Sequence, residues 1–183
     1  MNIVVISDTH GSLDAWNKIE KYISTETSCV LHAGDIYYSG PRNPVPSGHA
    51  PGSLAERVNA LNIPIICAKG NCDSDVDQLI SKFPLCDPFA FVFHDGRKIV
   101  VTHGHKYEKE KLVSLAKDWS VNIVVTGHTH LACLEKTDGI IFLNPGSCAL
   151  PKNFPGIGLI SNNSIELRNL IDGSVVERVS LIN

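Results

Sequence analysis

Five short stretches of this chain combine glycine with side chains that bind metals: Asp8-Thr9-His10-Gly11, Gly34-Asp35, Gly70-Asn71-Cys72-Asp73, His103-Gly104-His105 and Gly127-His128-Thr129-His130. Their donors are carboxylate and amide oxygens together with imidazole nitrogens. Such a mixed set suits Mn²⁺, Fe, Co, Ni or Zn better than Ca²⁺, which takes all-oxygen cages. The donors are too numerous for one tetrahedral ion, and two ions fit better. A two-metal site needs a bridging ligand, and a carboxylate bridges through its two oxygens. Asp35 is the candidate.

The clusters share a position as well as a chemistry. Each closes an apolar run rich in Val and Ile: "NIVVIS", "CVLHA", "IPIICAK", "KIVVT" and "VNIVVT". Continuous apolarity marks strands covered on both faces. In open α/β sheets, ligands bind outside the carboxyl ends of the strands, so the five clusters can converge on one place. Glycine beside each lets the backbone turn tightly. Between the runs lie helical patterns: "SLDAWNKIEKYI", with Ser12 as N-cap, "SLAERVNAL" and "EKEKLVSLAKDW". From "FAFVFHDGRKIVV" onward hairpins dominate, the first turning at Asp95-Gly96. The expected fold is a single α/β domain over residues 1–183, with two packed β-sheets flanked by helices. The segment 37–53, "YYSGPRNPVPSGHAPGS", is long for a plain connection, and its place directly after Asp35 favours a functional lid.

Composition narrows the function classes. With 183 residues and 43% hydrophobic content the chain can bury a full core. The net charge of -3 and the absence of a basic stripe argue against a nucleic-acid scaffold or a membrane-surface role. The apolar runs are strand-sized, well short of the roughly 20 residues that span a bilayer. The N-terminus lacks the basic region of a signal peptide. The six cysteines show no CxxC pairing, which fits small core residues in a reduced, cytoplasmic protein.

Asp-x-His, Gly-Asp, Gly-Asn, His-Gly-His and Gly-His-Thr-His, in that order, resemble the calcineurin-like metallophosphoesterase superfamily, and "GNCDSDVDQ", "THGH", "GHTH" and "NPGS" are similar to its small bacterial phosphodiesterases. The resemblance covers nearly the whole chain. It implies a four-layer αββα sandwich and a two-ion centre, with Mn²⁺ the first expectation. One ion would be held by Asp8, His10, Asp35 and His130. The other would be held by Asp35, Asn71, His103 and His128, with Asp35 bridging. On this reading Asp35, Asn71, His103 and His128 are also the catalytic residues. Two divalent ions and two aspartates leave such a centre net positive, which favours a bridging hydroxide and attracts phosphate.

Other polar residues carry weaker signals. His32 sits inside an apolar run and reads as packed or supporting. His49 reads as solvent-exposed, His94 as a turn residue, and His105 as close to substrate. Arg42 in "GPRN" can grip a phosphate oxygen in a bidentate way, and a plain surface arginine is the alternative. "NPGS" at 144–147 reads as a tight turn supporting the site through its backbone. Cys72 stands where many superfamily members carry a histidine, and it reads as a residue lining the substrate site. The leading expectation is a phosphodiesterase acting on a small phosphodiester. A phosphomonoesterase on the same centre is the alternative within enzymes, and a non-catalytic protein-binding scaffold the alternative outside them. A DNA nuclease is disfavoured by the missing basic stripe. The assembly state, a homo-oligomer included, is left open.

Overall fold

Val and Ile concentrate where the chain pairs in parallel. In the computed structural model, which describes residues 2–182, β1 (Asn2–Ile6), β2 (Thr27–His32), β3 (Ile65–Ala68) and β4 (Leu85–Cys86) lie side by side in parallel. The connections carry α1 (Leu13–Ile19), α2 (Pro51–Asn59) and α3 (Asp75–Ile80). The last strands, β10 (Gly156–Ile160), β11 (Ser164–Asn169) and β12 (Val175–Ser180), add antiparallel to the free edge of β1. This sheet therefore has seven strands, ordered β12-β11-β10-β1-β2-β3-β4. The middle of the chain builds the second sheet from β5 (Ala90–His94), β6 (Arg97–Val101), β7 (Ile123–Val125), β8 (Cys133–Thr137) and β9 (Ile140–Asn144). Its order is β5-β6-β7-β9-β8, and α4 (Lys109–Asp118) makes the crossover between parallel β6 and β7.

Alternation along the strands sets the layers. Ile3 and Val5 of β1 face the second sheet, where they join Ile99, Val101, Ile123, Val125 and Leu143 in one core. Val4 and Ile6 face the other way, against Trp16, Ile19, Leu54 and Val58 of α1 and α2. Val100, Val124 and Phe142 cover the outer face of the second sheet with Leu112 and Ala116 of α4. The result is the αββα sandwich expected from the sequence. The capping expectation also holds, since Ser12 Oγ accepts from the Ala15 N–H at 3.1 Å. The α1 pattern is cut short: at Glu20–Tyr22 the chain tightens into a 3₁₀ turn. The Asp95-Gly96 turn has both residues at positive φ, as a two-residue hairpin requires.

The 37–53 segment is packed down rather than free. Ser12 Oγ donates to Ser47 O (2.6 Å), Leu13 N–H to Gly48 O (2.9 Å) and Ala50 N–H to Gly11 O (2.8 Å). His49, expected to be exposed, is half-buried, because its Nδ1 donates to the His10 carbonyl at 3.0 Å. The segment is thus a fixed wall beside the Asp8–Gly11 turn.

Leu143 is fully buried between the sheets, and a Cβ added to Gly158 would meet its Cδ2 at 2.7 Å, so the fit there leaves no slack. Leu143→Ala is expected to destabilise the fold by about 2–5 kcal/mol in urea unfolding. A loss below about 1 kcal/mol would show that the sheets are not close-packed at this point.

Candidate metal centre

Strain marks the site. Among the non-glycine residues with φ between 46° and 65° are Asp8, His10, Asp35, His128 and His130. Each such residue costs on the order of 1–3 kcal/mol and persists only where the surroundings hold it. All five belong to the predicted donor set. They follow β1, β2 and β7, so strand ends from both sheets deliver them to one edge of the sandwich. Close approach also demands glycine here. A Cβ on Gly70 would collide with the Asp35 carboxylate, and one on Gly127 with Ser7 Oγ.

The first donor group is Asp8, His10 and His130. His10 Nδ1 donates to Tyr38 O and His130 Nδ1 donates to Leu150 O, both at 2.8 Å. Each outward N–H fixes its ring so that the Nε2 lone pair points inward. The two Nε2 atoms face each other at 3.1 Å. Asp8 Oδ1 lies 3.6 Å from one and 3.2 Å from the other. Its partner oxygen is satisfied by Ser7 Oγ (2.5 Å) and the His128 N–H (3.1 Å), whereas Oδ1 is buried with no hydrogen bond. Three electron-rich atoms without donors have been brought together, and a cation is what such a pocket fits.

The second group is built the same way. His103 Nδ1 donates to Ala33 O at 2.7 Å, turning Nε2 toward Asn71 Oδ1 (3.1 Å) and Asp35 Oδ2 (3.3 Å). The His128 ring packs 5.1 Å from that of His103, centroid to centroid. Donor atoms of Asp8, Asp35 and His103 lie within 4.8 Å of one another, as do those of His10, Asp35 and Cys72. Asp35 therefore stands between the groups. Burial alone pushes the His103 imidazole down, but the Asp35 and Asp8 carboxylates and the Ala33 carbonyl overcome it and carry its pKa to about 9. Asp35 is held well below the usual carboxylate range: burial opposes ionisation, and His103 and the Cys72 N–H outweigh it.

Supporting residues lock the turns together. Asp73 is buried and accepts from the N–H groups of Asp35 (2.8 Å), Ile36 (2.8 Å) and Gly70 (2.7 Å), tying the β2 turn to the β3 turn. Burial, partly offset by those N–H groups, lifts its pKa to about 6. His32 is buried, and burial depresses its pKa to about 4. Its neutral ring accepts from the Gly34 N–H (3.1 Å) and bonds Thr9 Oγ1 (3.0 Å). The "NPGS" turn supports the site, but through side chains rather than the expected backbone: Ser147 Oγ donates to Asp8 O at 2.7 Å, and Asn144 Nδ2 to Gly127 O at 2.9 Å. Nothing in the spacing singled out Asp73, because adjacency to Asn71 does not say where its carboxylate points.

A cleft of about 520 Å³ opens beside the donors, lined by Asp35, Asn71, His128 and His130 and also by Arg42, Cys72 and Lys152. Arg42 and Cys72 thus stand where the sequence placed them, and Lys152 was missed. His105 is 5.2 Å from His103 and 6.0 Å from His128 between ring centroids, yet it is not among the residues lining the cleft. Burial pushes the Cys72 thiol up, with Asp35 beside it adding to the effect, to about 12. It remains a thiol at neutral pH. All six cysteines are unpaired.

Residues 1–161 match the calcineurin-like phosphoesterase superfamily domain. The chain belongs to this superfamily. As a metallophosphoesterase it is a metal-dependent phosphoric ester hydrolase. It is 35% identical to the phosphodiesterase YfcE of Escherichia coli K12 across 99% of this chain and 98% of that one. The solved structure of E. coli YfcE superposes with a TM-score of 0.88 at 32% identity, covering 100% of both chains. Vps29 from Entamoeba histolytica, at 23% identity and a TM-score of 0.70 with both chains fully covered, shares the fold. No helix among the described residues is long and apolar enough to cross a membrane.

Because the metal-free His103 pKa is about 9, a metal taking its Nε2 must displace a proton at neutral pH. Apparent Mn²⁺ affinity is therefore expected to fall as pH drops below about 9. Calorimetry at pH 7 in buffers of differing ionisation enthalpy should show about one more proton released per chain than above pH 9. Equal release at both would remove His103 from the ligand set.

Proposed function

We propose that this chain is a dinuclear-metal-dependent phosphodiesterase that hydrolyses a small, soluble phosphodiester. The observation that carries the reading is the buried, unpartnered Asp8 Oδ1 facing two inward Nε2 lone pairs at 3.2 and 3.6 Å. Asp8, His10, Asp35 and His130 would hold one ion, and Asp35, Asn71, His103 and His128 the other. Two divalent ions there would supply a hydroxide nucleophile at neutral pH and positive charge to balance that developing on the phosphoryl oxygens.

The chain's own residues arrange the rest. Asp35 offers one oxygen to the His103 side while its other is held by the Cys72 N–H at 2.8 Å, which fixes the carboxylate between the two groups. The outward bonds of His103 and His10 to carbonyls hold each ring with its Nε2 turned toward the proposed ions. Asn71 gives an oxygen without adding negative charge, so the centre stays attractive to an anionic ester. No protein nucleophile is needed, and Cys72, kept as a thiol, does not provide one. Resemblance to a named phosphodiesterase over the full chain favours a diester over a monoester. The complete donor set favours an enzyme over a binding scaffold built on the same fold.

Purified protein loaded with Mn²⁺ is expected to hold about two ions per chain and to hydrolyse bis(p-nitrophenyl) phosphate. Chelation should abolish that activity, and full turnover by metal-free protein would sink the mechanism. Asp35→Ala removes the bridging carboxylate and should lower kcat by on the order of 10³-fold or more with the thermal transition preserved. Retained turnover in that variant would overturn the bridging assignment.

A further inference from the structure

The cleft beside the donor set is larger than a phosphate group requires. At about 520 Å³ it lies in the range of sites that enclose a whole small molecule. Its walls come from distant parts of the chain: the Ser39–Asn43 stretch, the Asn71-Cys72 turn, and Lys152 beyond β9. The lining contains no Phe, Tyr or Trp ring and no Val, Leu or Ile side chain, and its two aromatic rings are the His128 and His130 imidazoles of the candidate donor set. It thus offers an acyl chain no apolar channel, and a nucleobase no ring beyond the two imidazoles directed to the donor set.

The cleft offers charge instead. Several surface cations close ion pairs, as Lys69 does with Asp75 (2.9 Å), Lys109 with Glu135 (2.7 Å) and Lys117 with Asp138 (2.8 Å), whereas others such as Lys18, Lys21 and Lys82 stay unpaired in open solvent rather than in the cleft. Arg42 and Lys152 have no ion pair and no side-chain hydrogen bond among the described residues, and both are exposed at the cleft. Their backbones are nevertheless anchored. The Lys152 N–H donates to His130 O at 3.0 Å, which ties it to the candidate donor set. Beside Arg42, Asn43 Nδ2 donates to Ser39 O at 2.8 Å. Two cations have been placed in the cleft and left without partners.

A phosphodiester carries one negative charge, which the ions proposed for the donor set would already answer. A guanidinium fork and a flexible ammonium together suit a further phosphate group. We propose that the substrate is a hydrophilic phosphodiester bearing a second phosphate group, and that Arg42 and Lys152 form the subsite that binds this second group. The proposal rests on the phosphodiesterase reading above.

A matched pair of probes tests it: glycerophosphoinositol and glycerophosphoinositol 4-phosphate, which differ by one phosphomonoester. With Mn²⁺-loaded protein and ³¹P NMR, kcat/KM should favour the 4-phosphate by on the order of tenfold, carried by KM and weakened by salt. Calorimetry should give the same preference for inositol 1,4-bisphosphate over inositol 1-phosphate. Arg42→Gln and Lys152→Gln should each shrink the preference, and the double variant should bring it near unity. Equal constants for both probes in the unmodified protein, or a preference that survives in the double variant, would overturn the proposal. So would a double variant that loses bis(p-nitrophenyl) phosphate turnover as steeply as turnover of the 4-phosphate, since the cations would then serve the scissile group. If neither diester nor bis(p-nitrophenyl) phosphate is hydrolysed while calorimetry still prefers the bisphosphate, the phosphodiesterase reading fails and the subsite stands.

Discussion

Three imidazoles in this protein are turned inward by the same device. Each donates its Nδ1 proton to a backbone carbonyl: His10 to Tyr38, His130 to Leu150 and His103 to Ala33. The donation leaves Nε2 as a lone pair aimed at carboxylate or amide oxygens that likewise have nothing to donate. Electron-rich atoms held 3.1–3.3 Å apart repel unless a cation or proton lies among them. The raised pKa of His103 is the same constraint seen from the proton's side. Much of the remaining architecture brings those carbonyls and those rings to the same edge of two different sheets.

That delivery has a stability cost, and the core supports it. Five strained donor residues, and a buried Asp73 whose pKa stands at about 6 against an ordinary 3.8, all weigh against folding. For Asp73 the difference corresponds to about 3 kcal/mol at neutral pH. Its sign follows from the raised folded-state value: the carboxyl favours the fold when protonated, and that contribution is lost as pH rises through about 6. In return Asp73 clamps three N–H groups on two turns. The fully buried Ile, Val and Leu layers between and outside the sheets supply the rigidity on which such a clamp depends.

Much of this was legible in the sequence, for a physical reason. Continuous Val and Ile runs report parallel strands, and glycine next to a donor reports a tight turn at a strand end, so the five clusters could be read as one site. Long-range placement was not legible. That β10–β12 return to the edge of β1 depends on pairing across more than a hundred residues. Lys152 enters the cleft only because the chain beyond β9 folds back to the His130 carbonyl, and no local pattern announces it. α3 places Val76, Leu79 and Ile80 at helical spacing, yet all three are exposed and the helix is held by the Ser74–Asp77 capping box, so its apolar pattern does not report packing. His49 looked like a loop residue because its partner is a carbonyl, and carbonyls are invisible in a sequence.

Cys72 shows how backbone and side chain can divide their roles. Its N–H holds Asp35 Oδ1 at 2.8 Å, a contact that any residue except proline could make. Its thiol accepts from Asn71 Nδ2 at 3.2 Å, and that contact depends on the side chain. Asn71 is exposed and its amide could turn either way. With Nδ2 engaged by sulfur, Oδ1 is the end presented to His103. A residue that looked like a missing helper therefore orients a neutral oxygen toward His103, and in the proposed centre that oxygen would complete the second group without lowering the positive charge that attracts a phosphate ester.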